Sequence, residues 1–237
     1  MKIKFLGTKG EIEEQTSKHK YHSSLLLISK NFKLLIDHGL KSLALKKIKP
    51  DAILITHAHP DHFIWLKKDE EYEKKIYVTK ETLEKSRFKK NFELMKRNKW
   101  FSLGPFKILA YPVVHSINFP AVGFKIKNKK AIIYNPDVVM IKKKSVLKNA
   151  DLYIGDGSSI KTNLVRKKGN QFFGHARVTT QISWCQKYKI KNIIFTHLGK
   201  EALRFGDKKL EKWLNEKNPE MNIKIARDGM ELKIPNS

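Results

Sequence analysis

From Thr56 the chain reads Thr-His-Ala-His-Pro-Asp-His, so His57, His59, Asp61 and His62 fall within six positions. Imidazole and carboxylate are the ligands that zinc-like ions prefer. A lone histidine is more often structural than ligating. Four ligand-type side chains at this density are needed by neither an ordinary core nor an ordinary surface. The residues before them, Ile53-Leu54-Ile55, form a continuous apolar run, which suits a strand covered on both faces. A strand fixes where the chain emerges, and the loop after it is able to fold its ligands around an ion.

Other histidines fall in comparable places. The nine are His19, His22, His38, His57, His59, His62, His115, His175 and His197. His57, His59, His115 and His197 end apolar strands or come directly after them, and Asp137 comes after Ile132-Ile133-Tyr134-Asn135. Sheets present functional groups at strand ends, so these residues can meet on one edge. Each alone has a plain alternative as a turn aspartate or a capped histidine. Jointly His57, His59, Asp61, His62, His115, Asp137 and His197 offer seven ligands, enough for two ions that share one carboxylate. His22 and His38 read as local histidines near the pocket, His19 as solvated, and Asp156 as a turn residue or a supporting acceptor.

Strands must carry these groups. They are expected at 2–7, 24–29, 32–37, 51–56, 75–79, 106–115, 121–127, 131–135, 152–154, 192–196, 223–226 and 231–234. Helices are expected at 40–48, 62–68, 178–189 and 207–216, with a long charged helix at 80–99 whose partial apolar face is Leu83, Phe88, Phe92 and Met95. The segment 158–174, with Lys161, Arg166, Lys167 and Lys168, reads as a basic, irregular loop beside the site that holds part of an anionic substrate. Strands and then helices occur twice, with ligand residues after strand ends. This predicts an α/β (α+β) architecture of two facing sheets with helices outside, in one domain over 1–237.

Composition bounds the partners. The formal net charge is +26 and the isoelectric point is about 10.0, which favours nucleic acid or phosphorylated small molecules. Nearly all of the excess is lysine, and a lysine-biased genome or a thermophile produces the same balance without any function. No apolar run approaches bilayer length and no signal-peptide pattern opens the chain, so a soluble, cytoplasmic protein with no membrane partner is expected. The single Cys185 fits a reducing compartment and reads as a buried, inert thiol.

The run Thr56 to His62 resembles the H-x-H-x-D-H signature of the metallo-β-lactamase-fold hydrolases, and His115, Asp137 and His197 match the later single-ligand motifs in order. Phe5-Leu6-Gly7-Thr8-Lys9-Gly10, Ser23-Ser24-Leu25-Leu26 and Ile36-Asp37-His38-Gly39-Leu40 resemble motifs of the branch containing tRNA 3′-processing endonucleases and cyclic phosphodiesterases. Phosphodiesterase members carry an extra histidine 22 positions before the last ligand, and 197 − 175 = 22 here. Arg227 to Leu232 resembles the C-terminal strand pair of phosphoribosyl cyclic-phosphate phosphodiesterases. Two departures separate the chain from both named groups. Its interval 137 − 115 = 22 leaves no room for the substrate-gripping arm of the tRNA-processing enzymes. The segment Glu11 to Lys20 has no cysteine, so the structural zinc loop of the phosphonate-pathway enzyme is not expected.

The resemblance implies a four-layer αββα sandwich and a hydrolase with two divalent ions, Zn²⁺ foremost, with Mn²⁺ or Fe²⁺ as the other choices. His57, His59 and His115 would hold one ion, Asp61, His62 and His197 the other, with Asp137 bridging. A metal-bridging hydroxide would cleave a phosphodiester, with Asp61 orienting the water, His175 protonating the departing oxygen and Asp37 accepting from a ligand imidazole. Nucleic acid and small cyclic phosphodiesters both remain as substrates, and a homodimer is a common assembly in such proteins. The competing functions are a thioester or other non-phosphate ester hydrolase on the same fold, and a nucleic-acid-binding protein with structural metals.

Overall fold

The computed structural model describes residues 1–234. The first sheet opens with an antiparallel meander of β1 (Lys2–Gly7), β2 (Ser24–Ser29) and β3 (Phe32–Ile36). The short β4 (Ala52–Leu54), β5 (Ile76–Val78) and β6 (Phe92–Leu94) then add in parallel. The second sheet is antiparallel through β7 (Trp100–Leu103), β8 (Phe106–Val114), β9 (Ala121–Lys127) and β10 (Ala131–Tyr134), and β11 (Met140–Ile141) pairs the far end of β8. β12 (Leu152–Asp156) continues it in parallel. β13 (Arg166–Lys168) and β14 (Gln171–Phe173) form a separate ribbon. β15 (Asn192–Thr196) and β16 (Asn222–Ile225) complete the second sheet in parallel, and β17 (Glu231–Lys233) returns to pair with β1.

Alternation along the strands assigns the layers. Ile3, Phe5, Leu25, Leu27, Leu34 and Ile36 of the first sheet pack with Phe106, Ile108, Phe124, Ile126, Ile132 and Ile154 of the second, forming the core between the sheets. The intervening residues Leu6, Leu26, Leu35, Ile53 and Ile76 face outward. They are covered by α1 (Leu45–Ile48) and by Phe63, Ile64 and Trp65. On the other outer face, Ile133, Tyr153, Ile193 and Phe195 are covered by α3 (Val178–Lys187) and α5 (Asp207–Lys217). Two facing sheets with helices outside are what the αββα expectation requires. Two short helices, α2 (Lys80–Leu83) and α4 (Lys200–Phe205), complete the set. Cys185 is buried as expected. Among the described residues, no helix is long and apolar enough to cross a membrane.

Some expected elements are corrected. The 80–99 helix is only one turn, capped by Thr79, whose side chain accepts from the Thr82 N–H. The chain then turns back and forms β6, because Phe92 packs against Phe63 and Trp65 with ring centroids 6.0 and 6.2 Å away. Burial of that ring overrides the helix propensity of the surrounding lysines and glutamates. The 62–68 helix is a 3₁₀ turn at Ile64–Leu66, since the Ile64 N–H is taken by the His38 carbonyl at 2.8 Å. The 40–48 helix shrinks to α1, because the Leu40 N–H is held by the Pro60 carbonyl. The basic loop 158–174 contains the β13–β14 ribbon, and α4 was not expected from the sequence.

Candidate metal centre

All seven residues that the sequence singles out as candidate ligands meet at one edge of the sandwich. The side chains of His57, Asp61, His62, His115, Asp137 and His197 are buried and that of His59 is half-buried. The chain is bent sharply to bring them there. Asp37 and His197 both take positive φ, 63° and 51°, a conformation costly for non-glycine residues that persists where surrounding contacts over-determine it. Gly39 lets loops 37–40 and 59–62 touch, since a Cβ there would lie 2.0 Å from the Asp61 carbonyl oxygen.

The hydrogen bonds around the cluster assign its tautomers. Asp37 Oδ2 accepts from His62 Nδ1 at 2.9 Å. The Thr56 hydroxyl donates to Asp37 and so accepts from His57 Nδ1 at 3.0 Å. The Gly174 carbonyl accepts from His115 Nδ1 at 3.0 Å. The Ser158 hydroxyl donates to the His197 carbonyl and accepts from His197 Nδ1 at 2.9 Å. Each of these four rings therefore turns its Nε2 inward, while His59 offers Nδ1, 3.3 Å from His115 Nε2. Asp37 serves as expected. Thr56, Ser158 and the Gly174 carbonyl complete the support and carried no signal in the sequence, because hydroxyls and carbonyls near a strand end are too common to single out.

The inward atoms fall into groups of metal-binding size. His57, His59 and His115 form one group, and Asp61, His62 and His197 another, with ligand atoms within 4.8 Å of one another. Asp137 stands between them. Its Oδ1 lies 3.5 Å from His115 Nε2, and its Oδ2 lies 2.7 Å from His62 Nε2 and 3.3 Å from His197 Nε2. His62 Nε2 and Asp137 Oδ2 are close yet lack hydrogen-bond geometry, and with His57 Nε2 and Asp61 Oδ1 they have no hydrogen-bond partner although buried. Buried polar atoms are normally satisfied, and four that converge without partners fit a site for cations. Nitrogen and oxygen donors of this kind suit zinc, manganese and iron.

Electrostatics point the same way. Burial alone would raise the carboxyl groups of Asp61 and Asp137, but the surrounding imidazoles hold both well below the usual range. Burial alone would lower His62 and His197, and the carboxylates more than reverse it, raising His62 well above its ordinary value and His197 to about 10. Burial and neighbouring imidazoles push His57 far down and His59 to about 4. The Asp61–Asp137 side of the cluster thus draws positive charge, and the His57–His59 side stays neutral with free lone pairs.

His175 joins this centre from the loop after β14. Its Nδ1 lies 2.8 Å from Asp156 Oδ2, and Asp156 also accepts from the Val138 and Ser158 N–H groups. Burial alone would lower the imidazole, but Asp156 more than offsets this and raises it. Asp156 is therefore a supporting acceptor. His22 and His38 remain outside the cluster: His38 Nε2 meets Glu70 at 3.1 Å, and His22 is buried and accepts from the Lys41 N–H. His19 is not solvated. It is 2% exposed, between Thr8 at 2.7 Å and Asp207 at 3.0 Å, because β1 and α5 close over it.

The centre opens into a cavity of about 780 Å³ that His59, Asp61, His115, Asp137, His175 and His197 line, a volume that suits a small organic ligand. Lys161, Lys200, Arg204 and Glu11 line it too. Glu201 fixes the turn bearing Lys161 by accepting from the N–H groups of Ile160, Lys161 and Thr162. Of the expected basic residues only Lys161 reaches the cavity lining; Arg166, Lys167 and Lys168 lie on the exposed ribbon. The α4 residues were not anticipated, since a short polar helix after a ligand has no distinguishing pattern.

Comparisons with known proteins agree with this geometry. Sequence comparison with curated proteins gave no match. The chain is similar in structure to zinc-bound PqqB from Methylobacterium extorquens (TM-score 0.76, 15% identity, 99% of this chain and 100% of that chain). It is also similar to a diphosphatase from the PhnP family (0.71, 16%, 99% and 98%) and to the short form of human tRNase Z (0.64, 19%, 100% and 100%). Residues 37–198, from the aspartate that orients His62 to the residue after His197, match the model described as the beta-lactamase superfamily domain. The protein belongs to the beta-lactamase superfamily and has the metallo-β-lactamase fold.

Proposed function

We propose that the protein is a metal-dependent hydrolase that cleaves phosphodiesters, with His57, His59 and His115 holding one divalent ion, Asp61, His62 and His197 a second, and Asp137 shared between them. Bound there, the ions would supply a nucleophile from water near neutral pH and neutralise charge on the phosphoryl oxygens. The chain supplies the rest. Asp37 and Ser158 hold His62 and His197 in fixed tautomers. Asp61, whose Oδ2 lies 3.0 Å from His197 Nε2, keeps Oδ1 without a partner and so has an acceptor to orient a water proton. Lys161 in the cavity lining attracts an anion, with Lys200 and Arg204, which share Glu14, beside it. His175 has one ring nitrogen held by Asp156 and the other free to protonate a departing alkoxide.

The observation that carries the phosphoester reading is this Asp156-held His175, in the cavity lining beside the seven ligands. The solved relatives acting on phosphate compounds, a diphosphatase of the PhnP family and a tRNase Z, support the same choice. Zinc in PqqB supports Zn²⁺ as the first ion to test. The test is hydrolysis of bis(p-nitrophenyl) phosphate by protein loaded with Zn²⁺ or Mn²⁺, beside a thioester and a lactam. Turnover of the phosphodiester that vanishes in Asp61→Ala is expected. Loaded protein that leaves every phosphodiester intact while cleaving the thioester would overturn the reading.

A further inference from the structure

Between Leu164 and His175 the chain leaves the sandwich. Among the described residues β13 and β14 pair only with each other, and every residue from Arg166 to Phe172 is exposed. Both feet of this ribbon stand in the wall of the metal-site cavity, because Leu164 and His175 line it. The feet lie against each other, and one is bonded to the centre. Gly174 has φ of 105°, and a Cβ on it would lie 2.0 Å from the Leu164 carbonyl oxygen. Its N–H donates to the His115 carbonyl at 2.7 Å and its own carbonyl accepts from His115 Nδ1. The ribbon is therefore rooted on a candidate ligand at one foot and projects about 10 Å, three residues at about 3.3 Å each.

Its side chains are unusual for a solvated hairpin. Arg166, Lys167 and Lys168 are consecutive on β13, and the ion pairs among the described residues involve none of them, while Lys200 and Arg204 nearby share Glu14. Lys167 pairs in register with Phe172. Its ammonium lies 5.8 Å from the ring centroid, and Phe172 is still 46% exposed. Unpaired cations suit a chain of phosphates, and an exposed aromatic face suits an unstacked base. A ligand with both at regular intervals is a single-stranded polynucleotide. A double helix keeps its base faces covered, and a small cyclic phosphodiester fits inside the cavity without reaching the ribbon. The net charge of +26 adds long-range attraction for a polyanion.

We propose that the β13–β14 ribbon is a binding arm for a single-stranded polynucleotide that wraps it, Arg166 and Lys168 meeting phosphates on one face and Lys167 on the other beside Phe172, where a base stacks, while the scissile phosphate enters the metal-site cavity. The choice of substrate class rests on the phosphodiesterase reading; the binding role of the arm stands apart from it. The test uses the full-length, metal-loaded protein and fluorescein-labelled twelve-nucleotide polyuridylate and polythymidylate, with anisotropy read across a salt series. Metal content and melting temperature report that each variant is folded. Phe172→Ala should weaken binding about tenfold, the worth of one stacked base, and Phe172→Trp should preserve it. The combined R166Q/K167Q/K168Q variant should lower the slope of log K against log salt by about two, at about 0.7 per phosphate on a single strand. Wild-type protein that binds neither oligonucleotide, or variants that bind as tightly as wild type with the same salt slope, would overturn the arm. Wild-type turnover of bis(p-nitrophenyl) phosphate is measured beside this. If that turnover is absent and the variant effects on binding hold, the catalytic reading fails and the arm stands.

Discussion

His175 Nδ1 stands 2.8 Å from Asp156 Oδ2, and this contact decides which nitrogen of the ring is available for chemistry. Asp156 is fully buried and takes N–H bonds from Val138 and Ser158; burial opposes its ionisation, but His175 more than compensates and brings its pKa to about 2. A fixed carboxylate of this kind keeps the imidazole in one orientation with Nε2 toward the cavity. His175→Ala should therefore keep the metal content of the wild type and lose on the order of 10² to 10⁴ in turnover of a diester with a poor leaving group. A p-nitrophenolate leaving group needs little protonation and should suffer far less. Metal analysis beside kinetics on both diesters checks this, and loss of an ion would make His175 a ligand instead.

Asp37 orients two rings at once, His62 directly and His57 through the Thr56 hydroxyl. Asp37→Asn preserves volume but turns an acceptor of three donors, the Thr56 N–H, the Thr56 hydroxyl and His62 Nδ1, into a group with one acceptor oxygen. Metal affinity should fall about 10- to 100-fold. Chelator competition measures this without reference to activity.

Two glycines beside the centre separate folding from metal binding. A Cβ on Gly39 would lie 2.0 Å from the Asp61 backbone oxygen, whereas a Cβ on Gly10 would lie 2.9 Å from a carbon of the His197 ring. Backbone cannot yield cheaply, so Gly39→Ala should cost about 1–3 kcal/mol or more, seen as a lower denaturation midpoint. Gly10→Ala should leave that midpoint nearer to wild type and weaken metal binding by displacing His197.

Divalent ions should stabilise the fold by mass action. The cluster gathers buried carboxylates and imidazoles, four of whose inward atoms lack partners, so Zn²⁺ or Mn²⁺ added to chelator-treated protein should raise the melting temperature. At about 100 times the dissociation constant the gain is about 2.7 kcal/mol. Asp137→Asn, which removes the group between the two ligand sets, should lose most of the gain.

Asp207, outside the cavity lining, gives a pH-dependent contribution to stability. Burial alone would raise its carboxyl, but the His19 and Arg227 partners, at 3.0 and 2.8 Å, hold it below its ordinary value. A depressed folded pKa stabilises above the unfolded value of about 3.9 and loses that contribution as pH falls through the folded value. Asp207→Asn should therefore cost about 1–2 kcal/mol at neutral pH. The gap from wild type should close in denaturation curves taken below about pH 4.

The strands of the sandwich and the ligand-bearing chain ends were readable because they depend on short, local patterns. Ile53-Leu54-Ile55 before the histidines, and Ile132-Ile133-Tyr134 before Asp137, are runs that only a doubly covered strand tolerates, and the residues just beyond such a strand lie at a sheet edge by geometry. The stretch at 80–99 misled because its lysines and glutamates carry helix propensity, while Phe92 is placed by Phe63 and Trp65, which are distant in sequence. His19 misled for the same reason: Asp207, its buried partner, lies 188 positions away.

The sequence by itself singled out the candidate donor set that the fold brings together. Ligand chemistry resides in residue types, and the spacing of His57 to His62, with His115, Asp137 and His197 at strand ends, left few other uses for them. Tertiary structure alone decided how the donors face. It divided the two oxygens of Asp137 between His115 and His62 and turned four Nε2 atoms inward through Asp37, Thr56, Ser158 and the Gly174 carbonyl. It also stood a basic ribbon on the cavity wall at His175. A side chain's chemistry travels with its residue, but its direction is set by hydrogen bonds and packing from segments tens to hundreds of positions away.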